Sequence, residues 1–218
     1  PYVNSNATAI SKPENGVVPV VSMSTSSSIS NCDQIVIDIT GSYGSAGRAW
    51  LSVDWELKGD RSQIPGNATG ILIELAKYQT TSSFAVIPSE YLSSGVYEIA
   101  LSLENFLGQK STAQVVVEVS EVSYTPVTRI VGPSALVLTR EDAVNLYVEA
   151  QLPSCASNLY SRTLTYEWRV YLGIHYQAEL QSTSLDPRYF KLPAYTLEAG
   201  LRYEIMSKVR TDDLPGQP

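Results

Sequence analysis

Only one imidazole is available for proton transfer in this chain. A Ser-His-Asp or Cys-His system would have to use His175, the sole histidine among 218 residues. It stands in Gly173-Ile174-His175-Tyr176, which reads as a hairpin turn, so a surface position is expected. One histidine and two widely separated cysteines fall short of a zinc ligand set. The carboxylates Asp38, Asp54, Glu56, Asp60, Glu141, Asp142, Asp212 and Asp213 are scattered. Glycoside hydrolysis needs two acids facing one cleft, and nothing in this spacing selects a pair. Calcium held by loop carboxylates at a domain junction is the one metal reading left open. Clustered acidic linker motifs are missing, so the expectation is no cofactor. Residues 41–47, Gly-Ser-Tyr-Gly-Ser-Ala-Gly, are glycine-rich. A phosphate cradle leads from a strand into a helix, whereas this stretch joins two predicted strands and is expected to be a mobile loop. The chain is expected not to be an enzyme.

Binding chemistry is better represented. Alternation sets Trp50 opposite Trp55 on its strand, which places Trp50 on an outer face. Tyr43, Trp50 and Tyr78 could then form a platform for stacking on a sugar ring, while core or interface packing is the commoner fate of such rings. Two Asn-X-Thr sequons, at Asn6 and Asn67, are candidate N-glycosylation sites and fall in predicted loops.

The chain is long enough for one large domain or two of about 100 residues. Hydrophobic residues make up 44% and charged residues 17%, which supplies a core and argues against disorder. A net charge of -7 disfavours a nucleic-acid partner, which calls for clustered Lys and Arg. No apolar run reaches the length of a membrane span. With Pro1 in place of an initiator Met, and no signal peptide, the sequence reads as cut from a longer precursor.

Residue choice points to β structure: 14 Tyr, abundant β-branched residues, and 13 Gly plus 12 Pro as punctuation. Residues 1–16 read as a linker or the tail of a preceding module. Strands are predicted at 17–23, 34–40, 49–57 (Leu51, Val53, Trp55 and Leu57 on one face), 71–75, 83–87, 95–103 and 111–119. A second series follows at 127–131, 136–138, 143–151, 163–172, 176–180, 188–192 and 202–210. An ordered echo links the two. Val53-Asp54-Trp55-Glu56-Leu57 matches Tyr166-Glu167-Trp168-Arg169-Val170, and Phe84-Ala85-Val86-Ile87-Pro88 matches Tyr189-Phe190-Lys191-Leu192-Pro193. The stretch from Tyr91 through Gly95 to Ile99 matches that from Thr196 through Gly200 to Ile205, with one residue inserted. A single large barrel would not produce this echo as easily. The expected fold is all-β: two tandem immunoglobulin/fibronectin-like sandwiches, at 17–122 and 123–218. The second lacks its last strand, because nothing after 210 matches 111–119. The chain stops early, or that strand comes from elsewhere in the chain or from a partner.

Cys32 lies just before the second strand of the first domain, and Cys155 just after the second strand of the second. With the sandwiches stacked end to end, topology brings both cysteines to the same junction, and an inter-domain disulfide follows. Two free thiols, or partners outside this segment, are the alternative. A disulfide implies an oxidising compartment.

The run Asn31-Cys32-Asp33 through Asp38-Ile39-Thr40-Gly41-Ser42, then Gly47-Arg48 and Val53-Asp54-Trp55, resembles the receptor-for-egg-jelly module. So do Pro153-Ser154-Cys155, Leu164-Thr165-Tyr166-Glu167-Trp168 and the Leu-Pro…Leu…Gly…Tyr block at 192–203. The resemblance implies tandem sandwiches within a long ectodomain at the cell surface or in a secreted protein. Expected partners are neighbouring domains of the same chain or neighbouring subunits, with a spacer or adhesive role. Glycans are the alternative partner.

Overall fold

Alternation governs the longest strands. In Gly95–Glu104, Tyr97, Ile99, Leu101 and Leu103 are buried to 1% exposure or less while Val96, Glu98 and Ser102 face out. This computed structural model describes residues 13–59, 64–80, 83–121, 126–155 and 163–211. The described chain forms two tandem immunoglobulin-like β-sandwiches. In the first, one sheet has the order β1 (Ser28–Ser30), β6 (Lys110–Ser120), β5 (Gly95–Glu104), β3 (Ser52–Leu57), with β1 parallel to β6. The facing sheet pairs β2 (Ile35–Asp38) with β4 (Phe84–Ile87). In the second, one sheet runs β11 (Tyr189–Leu192), β8 (Val144–Gln151), β7 (Val127–Val131). The other runs β10 (His175–Tyr176), β9 (Leu164–Leu172), β12 (Tyr203–Thr211).

The sequence echo is a structural one. Ala85 and Ile87 on β4 point into the first core, and Phe190 and Leu192 on β11 point into the second, in the same phase. A corner tyrosine stands near the start of β5 and of β12. The Tyr97 hydroxyl accepts from the Ser93 N–H at 2.8 Å and donates to the Ser93 carbonyl at 2.9 Å. The Tyr203 hydroxyl accepts from the Glu198 N–H at 3.3 Å, one residue further back because of the insertion. Such a corner is a hallmark of immunoglobulin-like sandwiches. The cores are unequal. Eighteen buried residues, from Met23 to Val119, form the first, while Val144, Val170, Phe190 and Leu192 form the second.

Several expectations need correction. Residues 71–75 are not a strand but part of a helix, α1 (Ala68–Ala76). Asn67 caps it by accepting from the Gly70 N–H at 2.9 Å, and Gly70, Ile71, Glu74 and Leu75 are buried at helical spacing. Residues 17–23 form no strand but a single bridge, Val20 to Tyr43, followed by one just beyond, Ser24 to Asp38; Pro19 has no N–H for a ladder. Residues 136–138 form no strand; Leu136, Val137 and Leu138 are exposed and run into the turn in which Asp142 accepts from Thr139. Of 176–180 only Tyr176 is in a strand. Leu51 is 63% exposed, since β3 begins one residue later.

Candidate functional site

A disulfide, an ion pair and several hydrogen bonds join the two sandwiches. From the first come Ser22, Ser24, the turn before β2 and the end of β2. From the second come β7, the loop after it and the segment after β8. Cys32 and Cys155 are linked by a disulfide with Cα atoms 5.9 Å apart, across 123 residues of sequence. Its surroundings are bonded too. The Ser154 N–H donates to Asp33 Oδ1 at 2.9 Å, the Ser154 hydroxyl to the Cys32 carbonyl at 2.8 Å, and the Cys155 N–H lies 3.2 Å from Cys32 Sγ. Asp33 is 7% exposed, and its Oδ2 finds no partner among the described residues.

A second group of contacts sits along β7. Arg129 donates to Asp38 on β2 at 3.4 Å and to Glu149 on β8 at 2.8 Å, with its guanidinium 5.7 Å from the Phe84 ring centre. Asp38 is 4% exposed and also accepts from the N–H and hydroxyl of Thr40. A buried carboxylate is tolerated only with such partners. The Ser24 hydroxyl donates to the Ile130 carbonyl at 3.0 Å, and the Ser134 N–H donates to the Ser22 hydroxyl at 2.8 Å. Val127 of β7 packs against the first core. Gly41 meets Pro133 so closely that a Cβ there would sit 2.4 Å from the Pro133 Cβ. Between these contacts lies a cleft of about 230 Å³, floored by Ile29, Val36 and Val127 and edged by Gln34, Arg129 and Glu149.

Other sequence candidates fall elsewhere. Trp50 and Tyr78 are half-buried and pack against the first core. The Tyr78 carbonyl lies 3.5 Å from Trp55 Nε1, and Tyr43 alone of the three platform rings is exposed, at 58%. Two of the three rings thus rest partly against the first core, and one stands out into solvent. Asn67 is exposed at the end of the loop before α1, which it caps; Asn6 lies outside the described residues. His175 is exposed on β10. Among the described residues no three His, Cys, Asp or Glu side chains group to hold a metal ion, and no helix is long and apolar enough to cross a membrane.

The glycine-rich loop is tied down rather than free. The Ser22 N–H donates to the Ser42 hydroxyl, Tyr43 bridges Val20, and Asn105 Nδ2 donates to the Gly44 carbonyl at 3.0 Å. Asn105 is fully buried. It also donates to the Val17 carbonyl at 2.6 Å and accepts from the N–H groups of Leu107 and Gln109. Sequence reasoning passed over Asn105 and Arg129. Their role depends on distant segments, and a lone Asn in a turn or an Arg on a strand gives no local signal of it.

No protein-family model matches the chain, and no curated protein matches it. Solved structures with a likeness include fibronectin(III)-like modules of Clostridium thermocellum CbhA, at 14% identity over 89% of this chain and 87% of that one, with a TM-score of 0.32. The PKD domain from the KIAA 1837 protein is 18% identical over 57% of this chain and 98% of its own, also with a TM-score of 0.32. The Bacteroides ovatus glucan-locus protein SGBP-B, solved with a mixed-linkage heptasaccharide, is 14% identical over 92% of this chain and 48% of that one, with a TM-score of 0.31. These likenesses are too distant to add to the fold read from the strands themselves.

Proposed function

We propose that this chain is a non-catalytic, stiff two-module segment of a cell-surface or secreted protein, holding what flanks it at fixed spacing and orientation. On this reading the modules span 17–122 and 123–218, follow a linker at 1–16, and are of the receptor-for-egg-jelly type. The observation that carries the proposal is the joint. A covalent bridge 123 residues long in sequence and an Arg129 fork that binds one carboxylate on each sandwich act at separate points. Two separate attachments oppose rotation, whereas one would leave a hinge. A disulfide of this kind persists in oxidising compartments, which supports an extracellular location. Carbohydrate binding is the alternative; it would use Tyr43, which is exposed, with Trp50 and Tyr78, which are half-buried.

Small-angle X-ray scattering on the wild type and on Cys32→Ser/Cys155→Ser tests the spacer reading. The wild type is expected to show one narrow distribution of inter-domain distances, and the double variant a broader one with both sandwiches still folded. A broad distribution in the oxidised wild type would overturn the proposal.

A further inference from the structure

We infer that the edge of β12 left unpaired among the described residues pairs with β12 of a second copy, antiparallel and about a two-fold axis through Ser207, to make one sheet continuous across two chains.

The first observation is the contrast between equivalent strands. In the first sandwich β5 is covered along its whole length by β6, from Gly95 opposite Val119 to Glu104 opposite Lys110. β6 contributes Val117 and Val119 to the core. β12, the counterpart of β5, pairs with β9 on one side, and no strand among the described residues pairs with its other side. The difference shows in burial. Tyr97 and Ile99 are 1% and 0% exposed, whereas their counterparts Tyr203 and Ile205 remain half-buried. A nine-residue edge with unpaired backbone groups and a half-covered apolar face is a template for strand addition.

The second observation chooses the occupant. β12 reads Tyr203-Glu204-Ile205-Met206-Ser207-Lys208-Val209-Arg210-Thr211. Laid antiparallel against itself through Ser207, it sets Ile205 opposite Val209 on the core-facing side. On the solvent side Glu204 falls opposite Arg210 and Met206 opposite Lys208. Every apolar inward residue meets an apolar or small one, and the only carboxylate meets a guanidinium, twice by symmetry. Directly opposed charges of opposite sign stabilise antiparallel pairs, and like charges destabilise them. The surface is thus complementary to itself, as a two-fold interface requires. Glu204 has no ion-pair partner within the chain among the described residues. This pairing is independent of the spacer reading, since the joint and the β12 edge belong to different sheets and different residues.

Sedimentation equilibrium over a wide concentration range tests the pairing on the 218-residue chain, the wild type being expected to show a monomer–dimer equilibrium. Glu204→Arg sets a guanidinium against Arg210 at both symmetric positions and should weaken association roughly tenfold or more. Glu204→Arg/Arg210→Glu restores opposite charges in both pairs and should recover most of the wild-type constant, although it gives up the exposed Arg210–Glu167 pair at 3.7 Å within the chain. That rescue separates pairing from misfolding, and amide exchange supplies a second readout: β12 protection should rise with protein concentration. A wild type that stays monomeric throughout overturns the inference, as when the edge serves a strand from elsewhere. A dimer indifferent to both charge variants also overturns it.

Discussion

Tyr97 shows how one hydroxyl fixes a corner of the fold. The side chain is 1% exposed, and its oxygen both accepts from and donates to Ser93, so neither the phenol nor that stretch of backbone is left unpaired. Tyr97→Phe keeps the ring and strands two backbone groups, a loss of about 1–3 kcal/mol measurable by urea denaturation at neutral pH. The equivalent change at Tyr203 should cost less, since that ring is half-buried and makes one longer bond. Burial also pushes the Tyr97 phenol above its ordinary value of 10.0. The sign follows from linkage: the unfolded tyrosine ionises first, so its contribution is complete below about pH 10 and is lost as pH rises through the folded value. The wild type should therefore lose stability faster than Tyr97→Phe as pH is taken above about 10. Equal slopes for the two proteins would show that the buried phenol does not control alkaline unfolding.

At the scale of elements, strands with strong alternation were legible from sequence and the exceptions had local causes. β5, β6, β8, β9 and β12 lie within a residue or so of their predicted bounds, because each is a long run in which inward and outward residues largely alternate, and the short β7 matches on its β-branched composition. The segment 71–75 misled because Ile71-Leu72-Ile73 is an apolar run with two β-branched residues, a composition that favours strand. The decisive signal was upstream, in Asn67 as a helix cap with burial recurring at Ile71 and Leu75. The joint was half legible. The cysteine positions follow from topology, but Arg129 reaching Asp38 needs a register that no sequence pattern gives. Asn67 now carries two roles, since its Oδ1 caps α1 while its amide nitrogen is the atom a glycan would take. Asn67→Asp retains the cap and removes the sequon; Asn67→Ala removes both and should cost about 1 kcal/mol. On protein secreted from a glycosylating host, both variants should lose the same glycan mass by intact-mass spectrometry. Only Asn67→Ala should lower the unfolding midpoint. A mass unchanged by either substitution would show the sequon to be unoccupied.

At the scale of the whole molecule, the two sandwiches share an architecture but not a core. Eighteen buried residues close around the first, and the second relies on Val144, Val170, Phe190 and Leu192 with half-buried neighbours such as Trp168 and Tyr203. Hydrophobic stabilisation scales with apolar area removed from water, at about 25 cal/mol per Å², so the second sandwich starts with the smaller share. The joint does not make up the difference, because its contacts hold the outer face of β7 and the segment after β8 rather than the β9–β12 sheet. The molecule should therefore open in two stages, with the second sandwich losing its ladder first while the disulfide keeps it tethered. Native-state hydrogen exchange with increasing urea resolves this without substitutions. Amides of β8 and β9 are expected to exchange through an opening of lower free energy than those of β3 and β5. Convergence of both sets on one opening free energy at every urea concentration would mean that the joint fuses the sandwiches into a single cooperative unit. The asymmetry of the cores would then have no thermodynamic consequence.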